Sequence, residues 1–472
     1  MSAFRKHMPR TTRLISTIFV LYAFVWLKGW PRTYDDEELP AARRPHQPGA
    51  AFGPHPVVRD QLVVSITTTA INVYSKAAPL ILNTQQADHE MLLLFSDLQA
   101  EIGSWPVFDV IWRLPSDVIM KSDELNRYRT QLEYSQRSIP LEYLRKPDPE
   151  DERKEMQLLN KYKMLQTMAA AWDYRPGRSW YIFADDETYI HRPNLMDWLS
   201  QHDSEARHFF ANPPTDPTAL VPDPFAAGGT SFILSRKVMK ELFVDRRDAI
   251  NNWATRISHH VSAFDLVSTM LKEELDLDFV AAWPGISGFD PTTVTFHPSL
   301  WCEPILMMHH VAPDMLGDLS KLEREQASDR PLHYADLWDR FFTPENLNYT
   351  RTDWDNLSSE PTNGRWNILF ETDQVHKDRA KSGEQSPEAC EQSCEQNTYC
   401  VQWSYSSIPQ RNWNDNAETK CHLSSSIRFG LHVRPKDMPT HGPKATLSWQ
   451  SGWKKARFHR WARQQQCHEQ HQ

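Results

Sequence analysis

Three short segments of this chain consist almost entirely of apolar and β-branched residues, and they restrict the fold more than any other feature. They are Leu62–Thr67, Met91–Phe95 and Trp180–Ala184. A strand with one face in water alternates apolar and polar residues, whereas a strand buried on both faces does not. Residues 72–86, between the first two segments, have a helical pattern. This order predicts an α/β fold with a parallel sheet covered on both faces, where ligands bind beyond the carboxyl ends of the strands.

Acidic residues follow two of these segments. The third segment runs into Asp185, Asp186 and Glu187, and the second leads to Asp97. Carboxylates at the end of a buried strand are costly unless a cation meets them. Mg²⁺ and Mn²⁺ accept carboxylate oxygens and share their remaining positions with phosphates. The pattern predicts a divalent cation that carries a diphosphate; a solvated acidic turn is the alternative.

Length and composition exclude several classes of protein. With 472 residues, 40% of them hydrophobic, the chain is long enough for two or three domains and a sizeable core. Its 52 basic and 61 acidic residues give a net charge of −9, which argues against binding to a nucleic-acid backbone. We therefore expect a folded protein with no nucleic-acid partner.

The N-terminal region has the pattern of a membrane anchor. Basic residues precede residue 14, and no charge interrupts Leu14–Leu27. Extended to residue 30, this segment is shorter than the ~20 apolar residues that span a typical bilayer, which suits the thinner membranes of the early secretory pathway. The bulky residues before Lys28 favour an uncleaved signal-anchor over a signal peptide, and the positive charges keep the N-terminus in the cytosol. We expect a single-pass type II protein of the Golgi or endoplasmic reticulum membrane.

Two features farther along the chain agree with a lumenal, oxidising location for its body. Asn348 and Asn356 each begin a glycosylation sequon, and four cysteines lie between residues 390 and 421. The predicted parts of the chain are a cytosolic tail 1–13, the anchor 14–30, a stem 31–58, an α/β body 59–344, a linker 345–385, a cysteine-containing domain 386–450 and a basic, solvated tail 451–472.

Several ordered motifs between about residues 60 and 325 resemble one family of enzymes. Trp180–Ile190 is similar to the W-x-x-x-x-D-D-D-x-Y stretch of fringe-like and core 1 β-1,3-galactosyltransferase-like enzymes, in glycosyltransferase family 31. Gly228–Ser235 is similar to their G-G-a-G-f-v-L-S segment, and Ser65–Thr69 and Phe95–Asp97 match two strand ends that face the nucleotide. The resemblance implies a GT-A (Rossmann-like) nucleotide-sugar-binding domain. It also implies an inverting, metal-dependent transfer of a hexose or N-acetylhexosamine from a UDP-sugar to a glycan or glycoprotein, with a β-1,3 linkage.

The resemblance further assigns roles to individual residues. Mn²⁺ or Mg²⁺ would be held by Asp185, Glu187 and His309, with Asp185 facing the ribose or a metal-bound water. The family usually has Asp where this chain has Glu187; Asp186 takes over if the register shifts, and His297 competes with His309. The residues implied to contact the donor are Thr67, Thr68, Asp97, Lys163, Asp185, Gly228 and Gly229.

The segment Ser262–Val267 resembles the short acidic motif that carries the catalytic base of the family. Asp265 would take the proton from the acceptor hydroxyl as this oxygen attacks the anomeric carbon. A helix N-terminal acid stabilised by the macrodipole is the alternative. Lys161 and Lys163 either face the diphosphate or are solvent-exposed helix lysines.

The cysteines near the C-terminal end resemble those of a PAN/Apple module, which implies the pairs Cys390–Cys421 and Cys394–Cys400. Four cysteines permit three pairings, so spacing alone leaves the connectivity open. Cys302 either pairs with Cys467 or remains a buried thiol. The module either selects the acceptor or is structural. A catalytically inactive carbohydrate-binding protein of the secretory pathway, which has lost metal binding through Glu187, is the alternative to an enzyme.

Overall fold

A mixed β-sheet forms the centre of the body, and in the part of the chain that the structure describes it has eight strands in the order β3-β4-β2-β1-β5-β8-β7-β9. The three predicted apolar segments are its adjacent strands β2, β1 and β5, which pair in parallel. The strand β8 pairs with β5 in antiparallel fashion and β7 pairs with β8 in the same way, which the sequence did not predict. The strands of this sheet are β1 Leu62–Thr67, β2 Leu92–Ser96, β3 Ala100–Ile102, β4 Trp105–Asp109, β5 Trp180–Asp185, β7 Phe209–Ala211, β8 Phe232–Ser235 and β9 Val280–Ala281.

The structure is a computed structural model, and it describes most of the chain beyond residue 60. The predicted tail 1–13, anchor 14–30, stem 31–58 and the Gly228–Gly229 pair lie outside the described residues. Within the described part, no helix is long and apolar enough to cross a membrane. The described residues are 61–212, 231–326, 330–342, 350–359, 367–368, 383–408, 418–437, 446–454, 456–457 and 467.

Helices cover both faces of the sheet, as its apolar strands predict. Val64 and Ile182 pack into a core shared with helices α1, α9 and α10, whereas their neighbours Val63 and Tyr181 pack into a second core with α4 and α8. This alternation follows from the two-residue period of a strand. The α-helices of the body are α1 Ala78–Asn83, α2 Ser116–Lys121, α3 Asn126–Gln136, α4 Pro149–Tyr174, α5 Arg192–Ser200, α6 Arg236–Lys240, α7 Ala249–Ala254, α8 Ala263–Leu275, α9 Pro313–Glu325 and α10 Tyr334–Phe341.

A small second sheet lies next to the carboxyl end of β5. Its strands are β6 Tyr189–Ile190, β10 Ile286–Ser287 and β11 Met307–Met308, with β11 in the middle. Because β6 follows the acidic triplet and β11 leads directly into His309, their antiparallel pairing brings these two distant parts of the chain together.

The C-terminal region is a second sheet-and-helix unit that contains disulfides. The helix α11 Pro387–Gln396 lies against a sheet in which the order is β12-β19-β15-β16-β14, with β18 beside β19. The disulfides are Cys390–Cys421 and Cys394–Cys400, the pairs that the resemblance implied, and Cys302–Cys467, one of the two open alternatives. The strands of this region are β12 Thr350–Thr352, β13 Trp354–Asp355, β14 Asn367–Ile368, β15 Gln402–Ile408, β16 Glu418–Ser424, β17 Leu431–His432, β18 Lys436–Asp437 and β19 Thr446–Trp453.

This C-terminal unit shares a hydrophobic core with the body. The main chains of Phe296 and Ile427 exchange hydrogen bonds of 2.8 and 2.9 Å. Ile427 and Trp453 belong to the same core cluster as Val64 of β1. The Cys302–Cys467 disulfide adds a covalent link, so the unit is packed onto the body rather than tethered to it.

The structure does not agree with the glycosylation predicted at Asn356. This residue is 0% exposed, and its side-chain amide donates hydrogen bonds to the carbonyl oxygens of Trp403 (3.0 Å) and Gly452 (3.4 Å). A glycan on this nitrogen would need space that the folded unit fills. The sequon at Asn348 lies outside the described residues.

The basic tail is also less solvated than predicted. Lys454 lies 2.8 Å from Glu391 of α11, and Arg457 donates to the carbonyl oxygens of Glu395 (2.8 Å) and Cys394 (3.2 Å) in the last turn of this helix. A cation near the last carbonyls of a helix satisfies groups that have no partner within the helix. These two residues therefore fasten the chain after β19 to α11.

Candidate functional site

The ends of β1, β2 and β5 meet at one edge of the sheet, where the sequence predicts the ligand. Thr67 is paired with Asp185 across the sheet, and the hydroxyl of Thr67 donates to the carbonyl oxygen of Ala184 (3.1 Å). The amide of Asp186 donates to the carbonyl oxygen of Thr67 (3.1 Å). The amide of Thr68 donates to Phe95, the residue before the end of β2. The strand-end residues singled out in the sequence are thus neighbours.

Asp185 is directed at His309. Its Oδ1 atom lies 3.1 Å from Nδ1 of His309 and accepts hydrogen bonds from the hydroxyl of Thr188 (2.7 Å) and the amide of Glu187 (3.1 Å). Burial opposes ionisation of Asp185, but the charge of His309 and these hydrogen bonds outweigh it and hold the pKa of the carboxyl well below its usual range. Burial likewise acts against the imidazolium of His309, yet Asp185 raises the pKa of this ring. The two groups are therefore a coupled pair.

Asp186 is turned away from this pair. It is buried, and its Oδ2 atom accepts a hydrogen bond of 2.5 Å from the hydroxyl of Thr68. Burial, followed by the charge of Asp185, raises the pKa of Asp186 to about 7. The Asp186 carboxyl group therefore holds the segment after β1. It is not among the side chains whose ligand atoms gather around Glu187.

Glu187, His309 and His310 form a group of side chains with the donor atoms of a metal site. One ligand atom from each lies within 4.8 Å of the others. The Nδ1 atom of His310 is 3.9 Å from Oε2 of Glu187, and the backbone of His310 has the uncommon φ of 60°. Non-glycine residues in this region often lie at functional sites. One carboxylate with two imidazoles fits Mn²⁺ better than Mg²⁺, which prefers oxygen ligands alone.

The other oxygen of Glu187 meets a lysine that sequence reasoning missed. Nζ of Lys76 lies 2.5 Å from Oε1 of Glu187. The interaction with His310, followed by the charge and hydrogen bond of Lys76, outweighs burial and lowers the pKa of Glu187 to about 2. Lys76 belongs to the π-helical segment Val73–Ala77 after β1, and no local motif marks it. The sequence prediction assigns no role to His310, although two adjacent histidines are a signal of a metal site.

Asp97 and Lys163 are inside the protein rather than on an open surface. Asp97 is completely buried and accepts hydrogen bonds from the amide of Ala70 (2.6 Å) and the side chain of Gln131 (3.2 Å). Lys163 is also completely buried and donates to the carbonyl oxygen of Thr68. Burial lowers its pKa, and the nearby carboxylates, Asp97 first, act in the opposite direction. Through these contacts, Asp97 and Lys163 hold the main chain of Ala70 and Thr68, and so fix the position of the segment that follows β1.

Lys161 is buried as well, so the interpretation of Lys161 and Lys163 as solvent-exposed helix lysines is wrong. Its Nζ atom lies 2.9 Å from Glu124 and donates to the carbonyl oxygen of His260 (3.0 Å). Helix α4 packs between the sheet and α8. The aliphatic parts of both lysine side chains are therefore buried with the apolar residues of this helix.

Asp265 occupies the first turn of α8. The N-cap hydroxyl of Ser262 accepts a hydrogen bond from the amide of Asp265 (3.1 Å), which gives this residue the helix-terminal role considered from the sequence. Its Oδ2 atom accepts from the amide of Val261 (3.0 Å) and lies 3.1 Å from Nδ1 of His260. The Oδ1 atom has a longer contact of 3.5 Å with Thr269, and the side chain is 39% exposed. One carboxylate oxygen is therefore held while the other is open to solvent.

His297, the alternative to His309 as a metal ligand, is not among the side chains that converge with Glu187. It is the N-cap of a short 3₁₀ turn, where its Nδ1 atom contacts the hydroxyl of Ser299 at 2.9 Å. The site thus brings together Thr67, Thr68, Asp185, Glu187 and His309 from the predicted set.

No protein-family model matches this chain, and no curated protein is significantly similar to it in sequence. The fold and the site define its class: a mixed α/β protein with a large sheet, a disulfide-containing C-terminal region, and carboxylates and imidazoles gathered at the carboxyl ends of parallel strands.

Proposed function

We propose that this protein is a metal-dependent, inverting glycosyltransferase whose body is a GT-A domain. The observation that carries the proposal is the convergence of Glu187, His309 and His310 at the strand ends of a parallel sheet. This is the edge where α/β sheets bind ligands, and the adjoining sequence Trp180–Ile190 has the resemblance to glycosyltransferase family 31 described above.

Glu187, His309 and His310 would hold the cation. Bound Mn²⁺ would supply charge stabilisation for the diphosphate that leaves the sugar. Asp185 contacts Nδ1 of His309, so it keeps the other ring nitrogen available as a ligand. In this arrangement Asp185 orients a ligand, and the three converging side chains are the direct ligands.

The nucleotide part of the donor would lie across the ends of β1 and β2. Thr67 and Thr68 shape this edge, while Asp97 and Lys163 keep the segment after β1 in place through Ala70 and Thr68. A UDP-sugar is the donor that the resemblance implies. The transferred group would be a hexose or N-acetylhexosamine, and the product a β-1,3-linked glycan or glycoprotein.

Asp265 would act as the catalytic base. Its exposed Oδ1 atom would take the proton of the acceptor hydroxyl while His260 and the amide of Val261 hold Oδ2. The hydroxyl oxygen forms a bond to the anomeric carbon as the bond from that carbon to the diphosphate oxygen breaks, with the electron pair leaving on the diphosphate. Attack opposite the leaving group inverts the configuration of the sugar.

The remaining proposals concern the rest of the chain. We propose that the C-terminal unit is a PAN/Apple-type module that contributes to the acceptor site. The chain would be a type II membrane protein of the Golgi or endoplasmic reticulum, with its body in the lumen. Three disulfides support an oxidising compartment.

Binding and hydrolysis of nucleotide-sugars by the full-length protein test the central proposal. We expect UDP to bind in the presence of Mn²⁺ and to lose affinity when the metal is chelated. One of a panel of UDP-sugars should be hydrolysed slowly in the absence of an acceptor. A folded protein that takes up neither Mn²⁺ nor Mg²⁺ with UDP present would overturn the assignment as a transferase.

One observation favours a second candidate, a catalytically inactive carbohydrate-binding protein. Each acid of the triplet already has a partner within the chain: His309 for Asp185, Thr68 for Asp186 and Lys76 for Glu187. A protein of this kind would bind glycans without any requirement for metal or nucleotide. Glycan binding that is unaffected by a chelator, together with no uptake of Mn²⁺, would identify it.

A further inference from the structure

Lys76 makes a contact that its local structure does not require. It lies in the π-helical segment Val73–Ala77, which follows the end of β1 after a short loop. Its Nζ atom lies 2.5 Å from Oε1 of Glu187, and the charges of Asp186 and Asp185 also act on it. The lysine side chain is 30% exposed. Lys76 therefore extends from the segment after β1, beside the strand ends where the nucleotide would lie, to the group of side chains that would hold the cation.

The position of Lys76 conflicts with a cation on Glu187. Glu187 is one of the three side chains that fit a divalent ion. An ammonium group at hydrogen-bond distance from the same carboxylate would repel that ion at short range. The lysine side chain carries its charge on a flexible four-carbon stem, so it can leave Glu187 without a change in the main chain. Cation binding and the Lys76–Glu187 ion pair are therefore in competition.

We propose that Lys76 is a phosphate-binding residue of the donor site and that it exchanges partners when the donor binds. Without ligand, its ammonium group neutralises Glu187. With a divalent cation and a nucleoside diphosphate together in the site, Glu187 would serve as a ligand of the cation and Lys76 would pair with the diphosphate. This inference rests on the proposed function of the same site and adds a residue that the motifs of the sequence do not contain.

The two roles of Lys76 have opposite effects on two equilibria. Loss of its charge removes a competitor of the metal, so Mn²⁺ alone should bind more tightly. The same loss removes a partner of the diphosphate, so UDP should bind more weakly once Mn²⁺ is present. A residue that merely stabilises the fold would not change these two affinities in opposite directions.

The test measures both affinities in the full-length protein with the variants Lys76→Gln and Lys76→Arg. The dissociation constant for Mn²⁺ is measured first without nucleotide, by the loss of the free-ion electron paramagnetic resonance signal. The dissociation constant for UDP is then measured at saturating Mn²⁺ by calorimetry. A matched control is Lys321→Gln, which removes an exposed lysine of α9 that pairs with Glu325.

For Lys76→Gln we expect Mn²⁺ to bind about fivefold more tightly and UDP about fivefold more weakly, the size of effect expected for a partly exposed ion pair. Lys76→Arg keeps the charge and should remain near the wild type in both measurements, as should Lys321→Gln. If Lys76→Gln folds but leaves both constants unchanged, or shifts them in the same direction, the partner exchange is overturned while the transferase proposal stands. If the wild type binds neither Mn²⁺ nor UDP, both proposals fail.

Discussion

Nδ1 of His309 lies 3.1 Å from a carboxylate oxygen of Asp185, and both side chains are largely shielded from solvent. The contact depends on the pairing of β6 with β11, since the first follows the acidic triplet and the second precedes the histidine. A carboxylate that holds one nitrogen of an imidazole fixes the tautomer and the orientation of the ring. The arrangement makes the first acid of the triplet an orienting group for His309, a ligand in the metal site that we propose.

The change Asp185→Asn tests this role. The amide keeps the shape of the side chain but loses the negative charge that fixes His309, so we expect the affinity for Mn²⁺ to fall about 10- to 100-fold, the usual effect of losing such a partner. Asp186→Asn is the matched control, because Asp186 is turned to Thr68 and should affect the affinity for Mn²⁺ far less. Equal losses in the two variants would show that Asp185 has no special role. Metal titration with both folded variants gives the comparison.

The exposed oxygen of Asp265 should be needed for transfer but not for donor binding. For Asp265→Asn we expect a loss of about 10²- to 10⁴-fold in kcat, the usual contribution of a general base, with the affinity for UDP unchanged. Thr269→Val is the control, since Thr269 makes only a long contact to the same carboxylate. Normal transfer by Asp265→Asn would leave Asp265 with its role as a helix N-terminal acid alone. Steady-state kinetics and calorimetry measure the two quantities.

His191 should make stability depend on pH. It is buried at the N-cap of α5, and burial, followed by the charge of Arg192, lowers its pKa from 6.5 to about 4. Because the folded value is the lower one, the stabilisation is fully present above pH 6.5 and is lost as the pH falls toward 4. His191→Asn keeps an N-cap acceptor without this titration. Relative to the variant, the free energy of unfolding of the wild type should fall by about 3 kcal/mol over this interval. Denaturant unfolding at several pH values measures the difference, and parallel curves for the two proteins would contradict the prediction.

The disulfides should contribute unequally to stability. Cys302 and Cys467 are 165 residues apart, whereas Cys394 and Cys400 are 6 apart. A larger closed loop restricts the unfolded chain more, so replacing the first pair by serine should cost about 5 kcal/mol and replacing the second about 2 kcal/mol. Chemical unfolding of the two double variants compares them directly. A greater loss from the short pair would show that native contacts, rather than the entropy of the unfolded chain, determine the effect.

Asn356 should remain unmodified and should stabilise the C-terminal unit. Mass spectrometry of the secreted or membrane-bound protein should find its peptide without a glycan. Asn356→Ala should lower the free energy of unfolding by about 1 to 3 kcal/mol, because the carbonyl oxygens of Trp403 and Gly452 lose their donor in a buried position. The same loss should be seen in protein made in cells that do not glycosylate. A fully occupied sequon in the folded protein would contradict the burial of this residue.

The parts of the fold that depend on local pattern could be predicted from the sequence. The strand Leu62–Thr67 has the predicted bounds, and the acids after Ala184 lie at the end of a buried strand, because burial on both faces leaves a continuous apolar run. The antiparallel β8 could not be predicted in this way, since a short apolar run carries no information on direction or neighbours.

Contacts between distant segments limited the prediction of the site. Lys76 and Glu187 meet only because β1 and β5 are adjacent in the sheet, and neither residue has a local signal for the other. Asn356 shows the opposite case, where a local sequon was present but said nothing about burial. Lys163 was predicted to face the diphosphate or the solvent, yet it is completely buried and its ammonium group donates to the carbonyl oxygen of Thr68.

The link between Cys302 and Cys467 also has a consequence during synthesis. A ribosome that adds about 5 to 20 residues per second needs on the order of 10 to 30 seconds to make the 165 residues that separate these cysteines. Four other thiols are translated in that interval. Cys302 is exposed even in the folded protein, so its thiol stays accessible until the correct partner arrives, and an isomerase would have to correct any wrong crosslink.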